Sequence, residues 1–192
     1  MTDDTPTQPA RRVRADARRN IDALLETANA VFAESGVDAP VREIAARAGV
    51  GVGTVYRHFP KRSDLVIAVF RHSVDACADA ATTLAADHEP GEALSRWLRR
   101  YTDFIATKRG LAAALHSGDP AFEPLPAYFD QHLRPALKTL LDAASAAGAV
   151  RGDVDPNDLL RAVGNLCLAD DDTGHAQRMV DLLIDGLRHL PA

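Results

Sequence analysis

The sequence is short of the residues that many chemistries require. Only two cysteines occur in 192 residues, Cys77 and Cys167. They lack metal-ligand spacing, lie in apolar contexts of helical period, and read as buried free thiols of a reducing compartment. Five of the seven histidines, His88, His116, His132, His175 and His189, are scattered over different segments with no H-E-x-x-H or paired spacing, so no metal site is expected. Asp170, Asp171 and Asp172 with His175 read as a solvated turn, with Asp172 or Thr173 capping the last helix. There is no glycine-rich phosphate loop and no nucleophile elbow. Ser117 stands beside His116, but adjacency in sequence is not a catalytic geometry. The expectation is a protein without enzymatic activity or cofactor. No apolar run reaches the ~18 residues of a membrane span. The first residues, MTDDTPTQPA, lack the apolar core of a secretory signal. A cytoplasmic protein without membrane attachment is therefore expected. Aromatics are few, alternating β patterns are missing, and Ala and Leu abound, which leaves an all-α fold.

What is present centres on residues 41–65, VREIAARAGVGVGTVYRHFPKRSDL. Val41, Ile44, Ala45 and Ala48 keep the spacing of one buried helix face. Gly49 then supplies the left-handed conformation that ends a helix. A second short helix runs from Val52 and stops before Pro60. Two short helices joined by a glycine-bearing turn form a helix-turn-helix, whose second helix enters the DNA major groove. At about 100° per residue, Val52, Val55 and Phe59 point inward, while Gly53, Thr54, Tyr56 and Arg57 face away or flank them. A hydroxyl, a phenol, a guanidinium and a glycine that admits close backbone approach suit a polyanion with readable base edges.

The net charge of −5 is unevenly spread. Residues 11–72 hold eleven Lys and Arg against seven Asp and Glu, and residues 73–192 hold eleven against eighteen. Such asymmetry assigns the first half to a polyanion. Residues 1–13 read as a disordered arm that ends in a basic run beginning Arg11 and Arg12. Ile21, Leu24, Leu25, Ala28, Val31 and Phe32 mark a first helix ended by Gly36. With the helix-turn-helix it makes a three-helix unit over 14–60, too small to be stable alone. A long helix follows from Lys61 to about His88, with Lys61 and Arg62 at its start, where positive charge opposes the helix dipole and invites a phosphate. Further amphipathic helices are expected over 94–105, 110–116, 122–147, 156–167 and 176–190.

Residues 14–65 resemble the DNA-binding domain of the tetracycline-repressor (TetR/AcrR-like) family of bacterial transcription regulators. The resemblance rests on VREIAARAGVGVGTVYRHF, on Arg62 and Leu65, and on the preceding helix that ends at Phe32 and Gly36. It implies that Thr54, Tyr56 and His58 touch phosphates or base edges, that Arg42 reaches the duplex, and that Val52, Gly53 and Arg57 help set the operator sequence. Lys61 and Arg62 stand where the family keeps a lysine, and Gly51 where it keeps a capping serine.

The resemblance also implies that residues 61–192 form an all-α ligand-binding and dimerisation domain. Its candidate pocket is Trp97, Tyr101, Phe104, His116, Phe122, Phe129 and Asn165. These same aromatics serve equally as plain core, and the composition does not choose. Leu159, Val163, Leu166, Val180, Leu183 and Leu187 are the candidates for a homodimer interface. The reading is a repressor released from double-stranded operator DNA by a small, largely apolar effector. A regulator without a ligand switch, or an activator, is the alternative.

Overall fold

Leu24, Leu25, Ala28, Val31 and Phe32 are buried along one stripe of a helix, α1, which spans Gln8–Ser35. The computed structural model describes residues 8–115, 117–168 and 173–188. Residues 8–13, read from the sequence as part of a disordered arm, are helical. Pro9 falls in the first turn, where its missing N–H has no partner to lose, and the Ala and Arg residues behind it are good helix formers. Gly36 ends α1 at φ 76°, and its N–H donates to the Phe32 carbonyl at 2.9 Å.

Next come α2 (Val41–Arg47) and α3 (Val52–His58). Pro40 precedes α2 in extended backbone, and its carbonyl accepts the Glu43 N–H at 2.9 Å. The turn into α3 is made at Gly49, with φ 68°. There the Gly49 N–H reaches the Ala46 carbonyl and the Val50 N–H the Ala45 carbonyl, which satisfies the last carbonyls of α2. Ile44 and Ala45 of α2 and Val55 of α3 are buried against α1 and one another.

The long helix α4 spans Arg62–Asp87. Asp64 accepts the Lys61 backbone N–H at 2.9 Å, capping the start. The buried stripe of α4 is Leu65, Val66, Val69, Phe70, Val74, Cys77 and Ala81. It packs on α1, on α5 (Pro90–Leu115) and on α6 (Leu125–Ala146). The Trp97 indole N–H of α5 donates to the Cys77 carbonyl of α4 at 2.9 Å, deep in the core. The sequence places a break near Gly110, but α5 runs through it as one helix. An interior glycine costs about 1 kcal/mol, and buried Leu111 on the same stretch offsets it.

The segment expected as one helix over 122–147 is divided. A 3-10 turn spans Pro120–Phe122, capped by the Asp119 carboxylate, and α6 starts after Pro124. Pro135 sits inside α6 without ending it. Two final helices, α7 (Pro156–Leu168) and α8 (Thr173–Leu187), pack on α5. The Asp155 carboxylate caps α7 through the N–H groups of Asn157 and Asp158. Asp170, Asp171, Asp172 and His189 lie outside the described residues.

Among the described residues there is no strand, and one continuous core runs from Leu24 to Leu187. No helix there is long and apolar enough to cross a membrane.

The α2–α3 turn makes a direct test. A Cβ at Gly49 meets nothing within 4 Å, so the demand for glycine is purely one of backbone. Gly49→Ala should lower the unfolding free energy by about 1–2 kcal/mol in a urea titration. Gly53→Ala, in open helical surroundings, should raise it by about 0.5–1 kcal/mol. Equal effects at the two positions would remove this account of the turn.

Candidate nucleic-acid interface

Burying Val55 fixes which side of α3 faces out. Val52 is 39% and Tyr56 50% exposed, and Gly53, Arg57 and His58 are exposed beside them. Thr54 is half-buried. Val52 does not point inward as the helical wheel suggests. It is the first residue of α3, and no preceding turn covers it. Gly53 has open space where a Cβ would stand, so packing does not explain the glycine. A bare backbone on the outer face lets another surface come close.

The cations around this face divide by what they touch. Arg42 at the start of α2, Arg57 on α3 and Lys61 before α4 are exposed, and among the described residues none makes an ion pair. Arg42 and Lys61, with Tyr56 and Arg62, border a hollow of about 410 Å³ between the starts of α2, α3 and α4, and Arg57 is not among its lining residues. Arg47 is engaged elsewhere. Its guanidinium forms a two-pronged pair with Glu34, joining the ends of α1 and α2 and holding that carboxyl below its ordinary range.

Arg62 departs from the expected phosphate contact. Its guanidinium carbon lies 5.3 Å from the Phe32 ring centroid, and its Nη2 is buried without a hydrogen-bond partner. Burial lowers its pKa against the opposing pull of Asp38 and Tyr56. The sequence put Lys61 and Arg62 together as phosphate ligands. The fold leaves Lys61 in solvent and turns Arg62 onto the α1 ring.

The second set of candidates is partly brought together. Trp97 stacks on Tyr101 with centroids 5.6 Å apart, Tyr101 contacts Phe104 and Phe129, and Phe104 stacks on Phe129 at 6.2 Å. The Tyr101 hydroxyl donates to the Leu160 carbonyl at 3.3 Å, and burial raises its pKa well above the usual phenol value. Phe122 is buried in the same core. Asn165 is exposed on α7, and His116 lies outside the described residues.

Sequence reasoning missed Lys108, whose ammonium lies over the rings of Phe70, Phe104 and Phe129. The signal was available, since residues 97, 101, 104 and 108 share one helix face.

Of the dimer candidates, Leu159, Val163, Val180 and Leu187 are buried inside the protomer and are not available to a partner. Leu166 and Leu183 are half-buried, and Leu182, not selected, is 63% exposed. Helical period identifies an apolar stripe but not the neighbour it meets, and here α5 takes it. Among the described residues no group of three or more His, Cys, Asp or Glu is placed to hold a metal ion.

Comparison with known proteins agrees with this geometry. Residues 24–69 match the family model described as bacterial regulatory proteins, tetR family. Residues 89–189 match that of the SbtR-like transcriptional regulator C-terminal domain. The crystal structure of a TetR transcriptional regulator from Streptomyces coelicolor is similar with a TM-score of 0.79 and 37% identity, covering 88% of this chain and 99% of that one. The TetR-like regulator LfrR from Mycobacterium smegmatis, solved in complex with proflavine, is similar with a TM-score of 0.65 and 27% identity over 90% of this chain and 96% of that one. A helix-turn-helix-type transcriptional regulator of Staphylococcus aureus is 39% identical over 64 residues, 33% of this chain and 35% of that relative. That last likeness therefore spans only about a third of the relative's length.

The divided cations generate a prediction. In duplex-DNA binding measured across salt concentrations, Lys61→Ala should reduce the slope of log K against log salt by about one. Arg62→Met should leave the slope unchanged. Equal losses would mean that Arg62 leaves Phe32 for the phosphates.

Proposed function

The chain belongs to the TetR family of bacterial transcriptional regulators, and on that footing we propose that it acts as a homodimeric repressor that a small molecule releases from its operator. The outer face of α3 carries this reading. Gly53, Thr54, Tyr56, Arg57 and His58 present, on one short helix, a close-approach backbone, a hydroxyl, a phenol, a guanidinium and an imidazole.

Residues 14–60 form the DNA-reading unit and residues 61–192 the effector and dimer unit. Thr54 and Tyr56 hold phosphates, with Arg42 and Lys61 reaching the backbone on either side. Arg57 pairs bidentately with a guanine and Val52 meets a thymine methyl. With the buried leucines of α7 and α8 committed to α5, the partner protomer meets the outer sides of these two helices, Leu182 among them. Such a regulator works in the cytoplasm, and two buried cysteines that form no disulfide, Cys77 and Cys167, suit that compartment.

Release follows from how the helices are stacked. Phe59, Pro60 and Lys61 alone separate α3 from α4, and α4 packs on α1, α5 and α6. A ligand that reshapes the α5–α6 contact displaces α4, and the recognition helix moves with it. The effect on operator affinity equals the difference in ligand affinity between the two arrangements, typically 1–3 kcal/mol. The proflavine complex of LfrR supports the idea that a fold of this kind admits a small planar molecule.

The close stacking of Trp97, Tyr101, Phe104 and Phe129 favours a second reading, a regulator with a filled C-terminal core and no ligand switch. One experiment separates the two. DNA flanking the protein's own gene should be bound at low salt, and an effector should weaken that binding about 5- to 150-fold. Arg57→Ala should cost about 1–3 kcal/mol of discrimination at a single base pair. Specific binding that no compound in a broad library weakens would favour the second reading, and no specific binding at all would sink both.

A further inference from the structure

Lys108 occupies a place that an apolar side chain would fill at less cost. Its ammonium lies 4.3 Å from the ring centroid of Phe70, 4.6 Å from that of Phe104 and 4.4 Å from that of Phe129. The rings come from α4, α5 and α6, so three separate helices aim their side chains at one point. Among the described residues no carboxylate pairs with this amine. Burial pulls it down to about 7, and only a weak pull from Cys77 opposes that.

A lysine drawn largely out of water without a counter-ion is costly. What surrounds this one is the negative faces of aromatic rings, the arrangement that recognises alkylated ammonium groups. Phe129 and Lys108 are half-buried, so the cage opens toward the surface. Phe104 also lines a hollow of about 320 Å³ between α1, α4 and α5, where the carboxylates of Glu26 and Asp103 stand with Arg100 and His72.

We infer that the cage of Phe70, Phe104 and Phe129 is a receptor for an organic cation, and that Lys108 fills it as an internal stand-in that the ligand displaces. The inference rests on the reading that the C-terminal helices take an effector, and it names that effector's class as a small organic ammonium. The incoming cation takes over the three ring contacts, and the expelled ammonium returns to water. No charge is left buried without its rings. An acidic effector paired with Lys108 is the opposing arrangement. Three ring faces enclosing the ammonium disfavour it, because a carboxylate is repelled by the same faces that attract a cation.

The test uses the full chain, with benzyltrimethylammonium and phenylacetate titrated separately by calorimetry. Lys108→Ala should bind the cation at least about tenfold more tightly than the wild type, and adding Phe129→Leu should remove most of that gain. Phenylacetate should bind neither protein. In the wild type, saturating benzyltrimethylammonium should move the pH midpoint for acylation of the Lys108 amine upward, read by peptide mass spectrometry, because the ligand expels the side chain into water.

Unchanged cation affinity in Lys108→Ala together with unchanged labelling would overturn the proposal. So would phenylacetate binding that Lys108→Ala abolishes. Operator titrations on the same samples separate this from the release mechanism. Cation binding that depends on Lys108 and Phe129 but leaves operator affinity unchanged supports the cage as a cation receptor and overturns it as the effector site. Release by a compound that is indifferent to both residues supports release and overturns the cage as the effector site.

Discussion

The buried stripe of α4 is the constraint on which the rest of the molecule depends. Leu65, Val66, Val69, Phe70, Val74, Cys77 and Ala81 meet α1 on one side and α5 and α6 on the others. The first three helices are too few to bury a sufficient core of their own, and Leu24 through Phe32 complete theirs against the same long helix. Helix α3 therefore has no independent platform. Its orientation is set by α1 and α4, and theirs by the packing of α5 and α6. Burying each large apolar side chain contributes about 1.5–3 kcal/mol, so a close-packed interior of this kind resists deformation residue by residue.

How well the sequence announced this depends on how local each signal is. The α2–α3 turn was legible because a glycine in left-handed backbone, a helix stripe of Ile44 and Ala45, and a stop before Pro60 are all short-range facts. The outer face of α3 followed from Val55, and only Val52 at the helix start escaped the wheel. The second half was less legible. Gly110 looked like a boundary because its intrinsic cost is visible in sequence and the burial of Leu111 that offsets it is not. Leu159, Val163, Val180 and Leu187 looked like partner contacts because periodicity marks apolar residues without saying whether they meet α5 or another protomer. The ring contacts of Arg62 and Lys108 were illegible in the sequence for one shared reason. A cation in sequence is taken to face water, and the aromatic ring that draws it inward comes from another element.

Charge distribution shows the same limit. The basic excess of residues 11–72 falls on the half that contains the match to the tetR-family model, but it overstates the charge left exposed. Arg47 is held by Glu34, and Arg62 lies on Phe32. Around α3, Arg42, Arg57 and Lys61 are exposed and make no ion pair among the described residues.

Three cations along α4 and its neighbours rest on rings. Arg62 lies over Phe32, Arg71 over Tyr128 at 4.9 Å, and Lys108 among Phe70, Phe104 and Phe129. Each contact joins α4 to a different helix or closes the core that α4 shares. The choice of rings over carboxylates has an energetic consequence. Breaking a buried ion pair by removing one partner costs about 3–5 kcal/mol, because a charge is stranded. A cation–π contact contributes about 0.5–2 kcal/mol, and the ring it leaves is comfortable without it. Couplings of 1–3 kcal/mol are what a ligand-driven shift supplies. Joints of the first kind would lock α4 in one position, while joints of the second hold it in place at a smaller cost of parting. Tyr128 adds a directional element, since its hydroxyl also donates to Asp75 of α4 at 2.6 Å and its ring stacks on His132. The register of α6 on α4 is thus fixed by one strong polar contact, and freedom to move is left to the ring contacts around it.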